Sequence, residues 1–177
     1  MGQLISYTSP TGIDQLNLLD TINPQDASVA AGNLTADSVY LMRVRTKKPQ
    51  TVSTMGCFIG AALGNIDMGI YTGALSGTLT RVASCGSTAA AGVNALQSIA
   101  LTAAYTLQPG IDYWFAWAST GGSTTLTVGR SAAAVANVLT ADATARCATK
   151  ASAWSSGLPA TLATFSATSF TVWVQAS

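Results

Sequence analysis

Chemistry at neutral pH needs side chains that titrate, attack or hold a metal, and this chain of 177 residues carries few of them. Histidine, the commonest general base, is absent, and so is glutamate. The seven acidic residues are all aspartate: Asp14, Asp20, Asp26 and Asp37 lie in or beside the first 35 residues, and Asp67, Asp112 and Asp142 are far apart. A hydrolytic carboxylate pair would have to be assembled by folding, since no spacing in the sequence forms one. Cys57, Cys85 and Cys147 are isolated from one another, with neither a CxxC pair nor a histidine to complete a zinc site. They read as reduced, buried small apolar residues. No DxDxDG loop offers calcium a seat, and Gly121 and Gly122 lack the lysine of a phosphate-binding loop. This inventory predicts a protein that is not an enzyme and carries no cofactor and no metal.

Recognition needs less than catalysis. An exposed indole and a few polar groups suffice to hold a sugar, so Trp114, Trp154 and Trp173 are the candidate interface or glycan platforms. Trp154, flanked by serine and glycine, is the one whose setting most favours exposure. Nucleic acid is not the expected partner: the net charge is only +1, and Arg43, Arg45, Lys47 and Lys48 read as the end of a strand and a Lys-Lys-Pro turn. No near-continuous apolar run reaches membrane-spanning length, and the first ten residues, MGQLISYTSP, lack the basic start and apolar core of a secretion signal. No membrane insertion is expected.

Charged residues make up 8% of the chain, about a third of the usual share. None occurs from Val82 to Ile111 or from Ala151 to Ser177. Long neutral surfaces of this kind are avoided by soluble monomers and suit burial between subunits.

The elements that would position these groups are strands. Residues 1–35, broken by Pro10, Gly12, Pro24 and Gly32, read as an extended N-terminal arm whose Leu16, Leu18, Leu19 and Ile22 need cover from their own domain or a neighbour. From residue 36 to residue 177 the pattern is that of one β-sandwich domain. Tyr40, Met42 and Val44 alternate with Val39, Leu41 and Arg43; Met55, Cys57 and Ile59 alternate with Thr54, Gly56 and Phe58. Ile66, Met68 and Ile70 share a face, Thr72, Gly73 and Gly77 make a turn, and Thr78–Ala83 returns. Pro109-Gly110 is a type II turn pair leading into YWFAWAS, apolar on both faces and so expected at the centre of a sheet or at an interface. Residues 89–102, between GTLTRVASCGST and AAYTLQPG, read as a neutral Ala/Ser/Thr spacer. Residues 131–145 fit a short helix or an ordered loop equally. The fold class expected is all-β, a single antiparallel β-sandwich, jelly-roll-like in preference to immunoglobulin-like.

The succession NIDMGIYTG, GTLTRVASCGST, neutral spacer, AAYTLQPGIDYWFAWAST and final TVWV resembles the β-sandwich domains of tailed-bacteriophage virion proteins, over about residues 37–130. The resemblance implies a homo-oligomer, commonly a trimer, made in the host bacterial cytoplasm and built into the virion. Its partners would be copies of itself and major capsid or tail subunits. Capsid decoration is favoured over a minor tail role because coiled-coil heptads and fibre repeats are absent. The rival expectation is a tail or fibre module that binds a host surface glycan.

Overall fold

The computed structural model describes residues 19–20, 28–29, 38–61, 64–92, 94–120, 127–130, 147–151, 157–168, 172 and 174–177. Among them lie fourteen strands and no helix: β1 (Leu19–Asp20), β2 (Ser28–Val29), β3 (Ser38–Val44), β4 (Gln50–Ala61), β5 (Asn65–Thr72), β6 (Thr78–Ser84), β7 (Thr88–Ala89), β8 (Ala95–Leu107), β9 (Tyr113–Thr120), β10 (Thr127–Arg130), β11 (Cys147–Ala151), β12 (Thr161–Ala163), β13 (Ser166–Ala167) and β14 (Val174–Ala176).

Every pairing between them is antiparallel, and the longest ladders are nested. β5 pairs with β6, β4 with β8, β3 with β9 and β2 with β10, each pair enclosing the one before it in sequence. A long hairpin that rolls up puts alternate pairs into opposite layers. The first sheet accordingly runs β2-β10-β4-β8 and the second β3-β9-β5-β6. The result is an all-β, antiparallel arrangement of two sheets, as in a sandwich. β14 and β1 extend the first sheet beside β4; β11 and β13 extend the second past β3, and β12 and β7 join it at β6 and β5. Two pieces of the first 35 residues are thus paired within this same chain, β1 on β14 and β2 on β10.

Period-two alternation sends one side chain in two to the space between the sheets. Met55, Cys57 and Ile59 from β4 meet Ile66, Met68 and Ile70 from β5 and Phe115 and Trp117 from β9 there, all fully buried. Each large apolar side chain removed from water in this way stabilises the fold by about 1.5–3 kcal/mol. β9 is central, between β5 and β3, which accounts for the burial of both its faces. Gly110, at φ 78°, closes the connection into it: its N–H donates to Thr46 C=O, and the Gln108 N–H donates to the Tyr113 hydroxyl.

The neutral spacer of the sequence is a correction. Its second half falls in β8, a strand of thirteen residues paired with β4 from Gln50↔Leu107 to Ile59↔Ala95. Alanine, serine and threonine hide the alternation of its first half, where only Ile99 and Leu101 announce the inward face that Tyr105 and Leu107 continue. The helix-or-loop ambiguity at 131–145 falls outside the described residues.

Candidate functional site

The two sheets have unlike outer faces. On the second sheet Val39, Leu41, Trp114, Ala116, Ala118 and Ala148 point away from the central core, and all are buried. Leu158 and Leu162 join the same apolar cluster from a strap, Gly157–Ala163, that ends in β12 and pairs antiparallel with the start of β6. The strap is held by polar bonds as well. Leu158 N–H donates to Asp67 Oδ2 at 2.8 Å, the Tyr71 hydroxyl donates to Pro159 C=O at 2.5 Å, the Arg81 guanidinium donates to Leu158 C=O, and the Arg81 N–H donates to Ala160 C=O at 2.9 Å.

On the first sheet the outward positions of β4 and β8 face each other in small or neutral pairs: Thr54 opposite Ala100, Gly56 opposite Ser98 and Phe58 opposite Leu96. Gln175 of β14 flanks Gly56 on its other side. β4, β8 and β14 contain no charged residue. Leu96, 52% exposed, is the most exposed large apolar side chain among the described residues, and Ser98, Ala100, Thr102 and Thr106 are exposed beside it. Thr51 and Thr106 join hydroxyls at 2.8 Å across the ladder. Apart from its pairing with β4, β8 makes no backbone ladder among the described residues; its other bonds are side-chain ones, Thr102 Oγ1–H to Ser84 C=O, the Cys85 thiol to Ile99 C=O, and Gln97, which donates to Ala89 C=O and accepts from Ala91 N–H. Natural edge strands are usually blunted by lysine or proline. β8 has neither.

Of the three tryptophans, Trp114 is 3% exposed, and its indole N–H donates to Gly73 C=O at 3.1 Å. Its ring is wall, packed with Tyr71 and Leu79 in the cluster under the strap, so it offers a sugar no platform. Burial follows from its place on the central strand, whose outward face the strap side of the molecule covers. Trp154 and Trp173 lie outside the described residues.

The two aspartates whose side chains are described, Asp67 and Asp112, do not assemble. Asp112 pairs with Arg45 at 2.8 Å on the surface, whereas Asp67 is fully buried opposite Ala118, six residues further along β9 from Asp112. That separation is about 20 Å of extended chain, several times what two cooperating carboxylates need. Burial raises the carboxyl of Asp67 above the ordinary carboxylate range, against the pull of the Leu158 amide, the Arg81 charge and, more weakly, the Gly86 and Met68 amides. Burial also pushes the Cys57 and Cys85 thiols up to about 12, so both remain protonated and unreactive at neutral pH. Among the described residues no three His, Cys, Asp or Glu side chains gather as a metal ion would require, and no helix is long and apolar enough to cross a membrane.

Neither a scan against known protein-family models nor a search of curated proteins found a match to this chain.

Proposed function

We propose that this chain is a non-enzymatic structural protein of a tailed-phage virion, exposed on the particle surface as a capsid decoration or cement subunit. The observation that carries the reading is the outer face of the first sheet: uncharged across β4, β8 and β14, lined with Gly, Ala, Ser and Thr, bearing Leu96 in the open, and bounded by an unblunted edge at β8. Small side chains let a second surface approach closely, and the absence of charge removes the desolvation cost that ion burial would impose. The nested ladders are read here as jelly-roll order, which viral capsid domains use and lectins use equally, so the fold supports the reading only in company with the face. The sequence resemblance to phage virion sandwiches points the same way. Copies of the chain, as a trimer, and capsid or tail subunits are the partners this face suits. The tail-module alternative, binding a host glycan, has lost Trp114 as a platform.

Native mass across a dilution series from about micromolar concentrations downward tests the reading. A closed oligomer that persists on dilution supports it. A monomer at every concentration that also retains a glycan on an affinity array would replace it with the recognition module.

A further inference from the structure

The strap is seated in a receptacle whose parts have no role in the central core. Gly69 supplies the hollow: a Cβ there would stand 2.9 Å from Leu158 Cδ1 and 2.7 Å from Ala83 C=O, so any larger residue would push the leucine out. Gly157 supplies the approach. It adopts φ +127°, and a Cβ there would stand 3.1 Å from Asp67 Oδ2. Between these glycines sits Asp67, fully buried, with Oδ2 occupied by the Leu158 N–H and Oδ1 without a hydrogen-bond partner. An ionised carboxylate accepts at both oxygens and is costly to bury with one of them bare. A protonated carboxyl carries no charge and suits an apolar seat far better.

We propose that Asp67 is a proton-operated latch for the strap Gly157–Ala163: with the carboxyl protonated the strap lies closed on the outer face of the second sheet, and ionisation loosens it.

The surroundings of Asp67 are compatible with this assignment on every side. Its own strand contributes Tyr71, whose hydroxyl is itself engaged by Pro159. β6 contributes Arg81, whose guanidinium is committed to Leu158 C=O and forms no ion pair with Asp67. Beyond β6 stands Cys85, with Cys57 of β4 behind it on the core side, both thiols neutral. β9 presents Ala118 opposite Asp67, and Gly157–Ala163 contains no titratable group. Among the described residues one cation is therefore near, already in use, and burial prevails over it, leaving the carboxyl raised. The sign of the linkage follows. In the open strap Asp67 meets water and has an ordinary carboxylate affinity for its proton; in the closed strap it holds the proton more tightly. Closure is therefore favoured fully in acid and loses ground as pH rises through the closed-state value.

Amide hydrogen exchange of the full chain, followed from about pH 4.5 to pH 8 and expressed as protection relative to each amide's intrinsic rate, tests the latch. Protection of Leu158 N–H and of Arg81 N–H, which bonds Ala160, falls as pH rises, by no more than about tenfold per pH unit because one proton is involved. Protection of the Phe115 and Trp117 amides in β9 stays level over the same range. In Asp67→Asn, which keeps an oxygen for the Leu158 N–H and cannot ionise, the strap amides are level too. The latch is overturned by strap protection that does not change with pH in the unmodified chain, by a parallel fall in β9, which would mean whole-domain unfolding, or by an unchanged slope in the Asn variant. Should that variant not fold, the contrast between strap and β9 in the unmodified chain still decides.

Discussion

One sandwich shows two ways of treating the outside of a sheet. The second sheet turns valine, leucine, alanine and tryptophan outward and has its own chain laid over them, with Leu158 in the hollow at Gly69 and four polar bonds to the strap. The first turns glycine, alanine, serine and threonine outward, and Leu96 stays in the open. Apolar area left in water is costly, so the second face had to be covered for the monomer to be stable. A neutral face of small side chains is tolerable in water and loses little when another surface covers it. The difference assigns the second face to the fold and makes the first the face on which the proposed assembly would rest.

The largest test of that division is Leu158→Ala. If the strap is part of the fold, removing its buried anchor costs about 2–5 kcal/mol in chemical denaturation, the range of a core leucine. A loss within about 0.5 kcal/mol, as for a surface residue, would show that the strap merely rests on the sheet. Tyr71→Phe is a finer cut. It deletes the hydroxyl that donates to Pro159 C=O and keeps the ring, with an expected cost of about 1–2 kcal/mol, part of it from the carbonyl left unpaired. The same melt should show the strap amides losing more protection than those of β9.

The core was the legible part of this molecule. Met55, Cys57 and Ile59, and again Ile66, Met68 and Ile70, alternate in the sequence as they do in the fold, because a side-chain period of two is written directly in residue types. Apolar residues on both faces of YWFAWAS announced its central place between β5 and β3. The first half of β8 was not legible, since small and polar residues dominate it and only Ile99 and Leu101 mark there the inward face that Tyr105 and Leu107 continue. The latch was further from view. Asp67 is one aspartate in a strand pattern, and its seat is made by Gly69, Arg81 and Gly157, which a rolled hairpin and a late return bring together across 88 residues of chain. Trp114 misled because a tryptophan advertises a platform and a wall with the same letter. Only the strap over its face separates the two.

The smallest expected change in stability carries the most information about assembly. Leu96→Asp replaces a side chain 52% exposed on the first sheet, opposite Phe58 and with no charge near it on β4 or β8. In an isolated subunit the aspartate meets water, so the unfolding free energy should move by no more than about 0.5 kcal/mol. In an assembly that covers this face the same aspartate would be buried without a partner, at a cost of several kcal/mol per contact. A variant that folds like its parent and sediments as a monomer, beside a parent that sediments as an oligomer, places the contact on the first sheet. If the variant keeps its parent's mass, the contact lies elsewhere, and the neutral outer face of β4 and β8 must be explained by solubility alone.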